Sequence, residues 1–260
     1  MGAEPSGASP PALSVNINKV ATLRNSRGGT VPSVLEAVDV CVDAGCHGIT
    51  VHPRADGRHI TEADTRAVAE RIHALPRRVE FNVEGDPRPA LLALVREVQP
   101  DQCTLVPVQP GEITSQAGWP VDSSSTHLRE TLDEFRGLGI RSSLFVDAEP
   151  SSVRWAAELG ADRIELYTEP FARAFKRGPD SAHVAFERCA EAAELAHSLG
   201  LGINAGHDLD VDNLSLFRTL PHLAEVSIGH ALISLALFVG LATSIQEFLE
   251  ALGHQARRAR

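Results

Sequence analysis

Hydrophobic positions along this chain keep two alternating rhythms. Short apolar runs lie at 13–18, 48–52, 78–83, 103–107, 142–147, 163–168, 201–204 and 224–228. Such runs predict strands buried on both faces of a parallel sheet. Between them, apolar residues recur every three or four positions and predict helices at 32–44, 61–74, 89–98, 126–138, 151–159, 181–199, 211–220 and 231–252. Thr61-Glu62-Ala63-Asp64 is a capped start, and Gly45, Gly139, Gly160 and Gly200 stand where helix C-caps belong. The last helical segment is long and predicts a break near Gly240 or Thr243. Strict strand–helix alternation predicts one α/β domain over 12–260, a single (β/α)8 TIM barrel with additional helices. An open doubly wound sheet is the alternative. It needs a glycine-rich phosphate turn after the first strand, and no Gly-x-Gly-x-x-Gly follows there.

Residues 1–11, rich in Gly, Ala, Ser and Pro, read as a disordered lead-in with neither the basic nor the apolar stretch of a targeting peptide. No apolar run approaches the roughly 18 residues of a membrane span. Cys41, Cys46, Cys103 and Cys189 lack metal or redox spacing, so reduced, buried thiols in a cytoplasmic protein are expected. A formal net charge of −10 argues against nucleic acid and anionic membrane as partners. Of 24 basic residues only Lys19 and Lys176 are lysines.

In a parallel barrel, chemistry collects at the carboxyl ends of the strands. The predicted ends carry Asn16, Asn18 and Lys19; His52; Glu80, Asn82 and Glu84; Asp147; Glu165 and Thr168; Asn204 to His207; and Gly229 with His230. Alternation along a strand lets Asn16 and Asn18 share a side, and Glu80 and Asn82 another. Each residue alone is more often a satisfied structural group. Several histidines and glutamates on one rim suit serial proton transfer. Small residues in Asn204-Ala205-Gly206-His207-Asp208 and Ile228-Gly229-His230 would let backbone N–H groups meet a phosphate. Two further basic groups, with Arg24 and Arg27 after strand one and Arg54, Arg58 and His59 after strand two, suggest a second anion site. No compact ligand motif argues for a metal, and none is expected.

At these residues the chain resembles the pyridoxine 5′-phosphate synthase family. The likeness runs from Val15 to about Ile245 through Val-Asn-Ile-Asn-Lys-Val-Ala-Thr-Leu-Arg-Asn-Ser-Arg-Gly at 15–28, Gly-Ile-Thr-Val-His-Pro-Arg at 48–54, Val-Glu-Phe-Asn at 79–82, Ile-Glu-Leu-Tyr-Thr at 164–168, Asn-Ala-Gly-His at 204–207 and Ile-Gly-His-Ala at 228–231. It implies condensation of 1-deoxy-D-xylulose 5-phosphate with 3-amino-2-oxopropyl phosphate to pyridoxine 5′-phosphate, phosphate and water, without metal or organic cofactor. By position His52 and Glu80 match general bases, His207 a general acid, and Glu165 the residue that stabilises charged intermediates. Asn16, Arg27, Asp208, Gly229 and His230 match contacts to the aminoketone phosphate. Asn18, Lys19, Arg54, His59 and Thr114 match contacts to the sugar phosphate. The family implies a homo-oligomer, an octamer of dimers. Where many relatives carry Asp-His, this chain has Asn18-Lys19, and after strand four Val108-Gln109-Pro110 replaces a basic pair.

Two rival readings remain at this point. One is a barrel aldolase or lyase using Lys19 as a Schiff-base amine. The other is a non-catalytic sensor of phosphorylated ligands, for which the joint presence of His52, Glu80, Glu165 and His207 would be superfluous.

Overall fold

The computed structural model describes residues 9–108, 116–121 and 125–255. Eight parallel strands close into a barrel in sequence order. They are β1 (Ala12–Asn16), β2 (Gly48–Val51), β3 (Glu80–Gly85), β4 (Gln102–Leu105), β5 (Arg141–Val146), β6 (Arg163–Tyr167), β7 (Gly202–Gly206) and β8 (Leu223–Ile228). The helices are α1 (Asn18–Asn25), α2 (Val34–Ala44), α3 (Glu62–His73), α4 (Pro89–Val98), α5 (Ser125–Gly137), α6 (Pro150–Leu159), α7 (Glu169–Phe175), α8 (Pro179–Ser198), α9 (Val211–Phe217), α10 (His230–Val239) and α11 (Leu241–Ala251). Thr61 and Asp64 form the expected capping box of α3, and Gly45 and Gly160 end α2 and α6 in the left-handed conformation. The predicted break in the last helical segment falls at Gly240 (φ +88). Neither α1 nor α7 was expected from the pattern, because both are short and weakly amphipathic.

The strands are not apolar on both faces. Leu13, Val15, Ile49, Val51, Phe81, Val83, Leu144, Ile164, Leu166, Ile203 and Val226 belong to the buried apolar core that the helices cover. The alternate residues face the lumen and are mostly polar, Phe145 being an exception. Ser14 Oγ lies 2.7 Å from Thr50 Oγ1, Asn82 donates to Thr50 at 3.3 Å, and Thr104 donates to Asn82 at 3.1 Å. Across the barrel, Asn204 of β7 donates to Gln102 of β4 at 3.3 Å. Much of the buried lumen is therefore hydrogen-bonded, with Ser143 Oγ an exception, instead of packed with the branched apolar layers common in such barrels. Glycine makes room for it. A Cβ on Gly206 would lie 2.2 Å from Glu165 Oε1, and one on Gly202 would lie 2.8 Å from Arg163 Cγ.

Candidate active site

One cleft, about 460 Å³, opens at the carboxyl ends of the strands. Asn16, Asn18, Lys19, His52, Arg54, His59, Glu165, His207, Asp208, Gly229 and His230 line it, together with Glu84, Arg58, Thr22 and Ser227. A larger groove of about 680 Å³ lies outside, between α7 and α8. It is lined by no histidine, and its Tyr167 touches His207 of the cleft, so the acid–base candidates lie in the smaller space.

The first strand ends two residues earlier than its pattern suggested. Asn18 is the first residue of α1, not a strand residue. It reaches the cleft all the same, because Asn16 Oδ1 accepts its N–H at 3.1 Å and its own Oδ1 accepts the His52 N–H at 2.9 Å. Two amides thus fix the loop that presents the His52 ring. His52 Nδ1 lies 4.0 Å from Glu84 Oε2, while Nε2 is buried without a protein partner. Burial, with the nearby His59, Arg54 and Arg88 adding positive charge, pushes His52 well below the usual imidazole range. It is therefore a neutral base at neutral pH. His59, whose ring centroid is 5.9 Å from that of His52, is brought down to about 4 by burial and then by Arg54 and Lys19.

Glu80 does not lie at the mouth. It is the first residue of β3, level with Gly48 at the foot of β2, and its Oε1 lies 2.5 Å from Arg141 Nη2. The mouth carboxyl of this strand is Glu84, four residues on and on the same luminal side. Asn16 donates to it at 3.4 Å and Ser227 at 3.5 Å. The strand was expected to stop at 83, but Glu84 and Gly85 pair with Thr104 and Leu105 and carry it further. Period-two alternation already grouped Glu80, Asn82 and Glu84. Only the register against β2 and β4 tells which end is which. Burial pushes Glu84 up to about 7.

Glu165, on β6, is 3% exposed. Burial raises it well above the carboxyl range, and the carboxylates of Glu84 and Glu225 add to the effect. Just past the neighbouring strand β7 stands His207, held between Phe145 (ring centroids 5.0 Å apart) and Tyr167 (5.4 Å). Burial lowers its pKa, with Asp208 opposing. His207 and Asp208 both adopt positive φ, +77 and +59. Such backbone costs about 1–3 kcal/mol per residue and persists only where the surroundings impose it. Here Thr168 Oγ1 donates to the carbonyls of Gly206 and His207, and Asn213 donates to that of Asp208.

Two helices begin at the cleft without a side-chain cap, α1 at Asn18 and α10 at His230. Helix starts and their dipoles favour anions, although at α1 Asn16 already takes the Asn18 N–H. Gly229 must be small, since a Cβ there would stand 3.1 Å from Asn16. Lys19, Arg54 and His59 gather near the start of α1, and Gly229 and His230 form the start of α10. Arg27 is exposed in the loop after α1, outside the cleft, and Thr114 lies outside the described residues. Among the described residues no cluster of three His, Cys, Asp or Glu is placed to hold a metal ion.

The family model described as "Pyridoxal phosphate biosynthesis protein PdxJ" matches residues 13–254. The pyridoxine 5′-phosphate synthase of Bacteroides thetaiotaomicron is 51% identical over 237 residues, covering 91% of this chain and 97% of that protein. The synthase of Leptospira biflexa is 46% identical over 250 residues, covering 92% and 96%. Among solved structures, 3-keto-L-gulonate-6-phosphate decarboxylase from Vibrio cholerae superposes with a TM-score of 0.61 at 12% identity, over 94% of this chain and 98% of that one. The YdjI aldolase from Escherichia coli gives 0.60 at 10% identity, over 95% and 94%. At such identities these two attest the barrel and nothing of its chemistry.

Proposed function

The chain belongs to the PdxJ family and is a pyridoxine 5′-phosphate synthase of vitamin B6 biosynthesis, and from that premise we propose how its own cleft condenses 1-deoxy-D-xylulose 5-phosphate with 3-amino-2-oxopropyl phosphate. The observation that carries the reading is the convergence of His52, Glu84, Glu165 and His207 in one cleft with no cation paired to either carboxyl among the described residues. The substrate amine adds to the ketone and water is lost as the imine forms. Repeated deprotonation, departure of phosphate, ring closure and loss of a last water follow. Each step needs a group that gives or takes a proton near neutrality.

His52, neutral and with Nε2 free toward the cleft, acts as one base. Glu84, close to half-protonated at neutral pH, acts as the other, the role first assigned to Glu80. His207 acts as acid, aimed by its two aromatic neighbours. Glu165 answers the positive charge of the iminium: a buried carboxyl gives up its proton most readily when a cation forms beside it. The aminoketone phosphate sits at the start of α10 on Gly229 and His230, with Asn16 beside it. Asp208 serves through its backbone, since a carboxylate would repel the phosphate. The sugar phosphate sits at the start of α1 with Asn18, Lys19, Arg54 and His59. Thr114 remains assigned there by resemblance alone.

We also infer a homo-oligomer, built of dimers up to an octamer. Phe238 (89% exposed), Leu237 and Val31 leave apolar surface that a second copy would cover. Arg27, beside exposed Leu23, enters the aminoketone site only within such an assembly. No helix among the described residues is long and apolar enough to cross a membrane, and we place the enzyme in the cytoplasm. The test is incubation of purified protein with both substrates while watching for pyridoxine 5′-phosphate. Formation of product only after a third component is added would overturn the reading.

A further inference from the structure

The turn that carries His207 is held from beneath by two buried side chains to which the reaction described above gives no part. Thr168 follows β6 and is the N-cap residue of α7. A threonine in that place ordinarily turns its oxygen to its own helix and accepts an N–H of the first turn. Thr168 leaves α7 without that bond. Its hydroxyl reaches instead to the end of the next strand. It donates to the Gly206 carbonyl at 2.6 Å and to the His207 carbonyl, and its N–H meets the Gly206 carbonyl at 3.0 Å. Asn213, on α9, does two things at once. Its Oδ1 accepts the Asp210 N–H at 3.0 Å in the capping box of that helix, and its Nδ2 donates to the Asp208 carbonyl at 3.0 Å.

These bonds decide where the other edges of the same peptides look. A trans peptide is planar, so the carbonyl of one residue and the N–H of the next point opposite ways. Both peptides here are trans. Thr168 and Asn213 lie in the protein body, and neither lines the cleft. The His207 and Asp208 carbonyls are thus drawn inward. The N–H groups of Asp208 and Leu209 are turned the other way, and both residues line the cleft. Among the described residues no hydrogen bond takes either N–H. Successive backbone N–H groups facing one way make a concavity for an anion. The Asp208 carboxylate is exposed, so water screens it. Strands β7 and β8 are neighbours, so this turn stands next to the start of α10 in the same cleft.

We propose that Thr168, together with Asn213, is a positioning residue for phosphate binding: by holding two carbonyls inward, the pair aims the Asp208 and Leu209 amides at the aminoketone phosphate. The inference rests on the reading that places this phosphate beside Gly229 and His230. Steady-state constants for both substrates, competition by inorganic phosphate against the aminoketone phosphate, and thermal melts are measured for wild type, Thr168→Val, Thr168→Ser, Asn213→Asp and Gly229→Ala. Valine keeps the shape of threonine and lacks the hydroxyl. Aspartate at 213 keeps the acceptor for Asp210 and loses the donor to Asp208. Thr168→Val raises both KM for the aminoketone phosphate and the inhibition constant of inorganic phosphate about tenfold, the weight of one hydrogen bond to a charged group. KM for the sugar phosphate stays in place, and kcat changes less than KM, because Phe145 and Tyr167 grip the His207 ring independently. Thr168→Ser, which keeps the hydroxyl, restores both constants. Asn213→Asp moves the same constants the same way and carries the test if Thr168→Val does not fold. A lowered melt with unmoved constants, or an equal rise in KM for both substrates, overturns the inference and leaves Thr168 structural. Gly229→Ala keeps the two readings apart. If it leaves KM for the aminoketone phosphate unmoved, the placing of that phosphate is wrong. If it raises that KM while Thr168→Val and Asn213→Asp do not, only the role of Thr168 and Asn213 is wrong.

Discussion

The two ends of β3 treat their carboxyls in opposite ways. At its foot, half-buried Glu80 meets Arg141 at 2.5 Å. At the mouth, Glu84 has only an amide at 3.4 Å and a hydroxyl at 3.5 Å, with the neutral ring of His52 at 4.0 Å. No arginine or lysine among the described residues pairs with Glu84 or Glu165. A carboxyl beside a fixed cation has its charge settled. One buried without a cation is held near the point of gaining or losing a proton. On the proposed reading, strand position separates structure from chemistry, and it does so within a single strand, between Glu80 and Glu84.

The sharpest way to break this contrast is to neutralise each carboxyl of β3 in turn. Glu84→Gln is expected to fold and to lose about 10²–10⁴-fold in turnover, the usual weight of a general acid–base group. Glu80→Gln is expected to lose stability instead, about 1–3 kcal/mol for a half-buried ion pair, read in a denaturant melt. Greater loss of turnover in Glu80→Gln than in Glu84→Gln would restore the assignment that the sequence motif suggested.

Two glycines extend the comparison. Gly206→Ala would drive a methyl into Glu165, with Oε1 2.2 Å away. Displacing a reacting group by about 1 Å can cost 10²-fold, so kcat should fall by about 10–10²-fold. Gly202→Ala crowds Arg163 at the foot, and its effect should appear in thermal stability, about 1–3 kcal/mol, with kcat little changed. Equal kcat losses in the two variants would mean that the lumen responds as one body.

The mouth should also be unstable at a defined pH. Glu84 has its folded pKa raised from 4.5 to about 7. The stability it contributes is complete below pH about 4.5 and is lost as pH rises through about 7, because the unfolded chain sheds that proton earlier. Glu84→Gln should therefore unfold less readily than wild type above pH 7, by roughly 1–3 kcal/mol, and the gap should close below pH 4.5. A gap independent of pH would show that packing, not ionisation, separates them.

The barrel was legible in the sequence because its signal is long-range and repeated: eight apolar runs separated by periodic helices. Much of the rim was legible too, since His52, His207 and His230 stand just beyond strand ends whatever the register. What the pattern could not give was phase. Glu80, Asn82 and Glu84 share one face, and only pairing with β2 and β4 says which lies at the top. Nor could it give α1: Asn18 reads equally well as the end of a strand, and the turn at Ile17 has no glycine or proline to announce it. The polar lumen was visible in Val15-Asn16-Ile17-Asn18 and Glu80-Phe81-Asn82-Val83-Glu84 as strict alternation. That pattern usually marks a sheet with one face in water. Here the wet face is the inside of the barrel.

The smallest expected effect concerns the cations that the mouth does have. They stand on its rim: Lys19 is exposed on the first turn of α1, and Arg54 and Arg58 follow β2. If the comparison holds, rim cations attract substrate and do not set the charge of the inner carboxyls. Lys19 acts on His59, whose pKa it helps to lower, and is not among the groups that shift Glu84 or Glu165. Lys19→Met should then raise KM for the sugar phosphate several-fold, in the range of one exposed ion pair, about 0.2–1 kcal/mol, and the loss should shrink as salt screens the rim. KM for the aminoketone phosphate and the pH profile should stay in place, since that phosphate is proposed to sit at the start of α10. A Schiff-base lysine would behave otherwise. Its replacement would abolish turnover, and borohydride would trap substrate on the wild-type chain but not on Lys19→Met. A displaced pH profile in Lys19→Met would couple the rim to the inner carboxyls and break the division between them. Unchanged constants for both substrates would leave Lys19 a solvated ammonium with no part in binding.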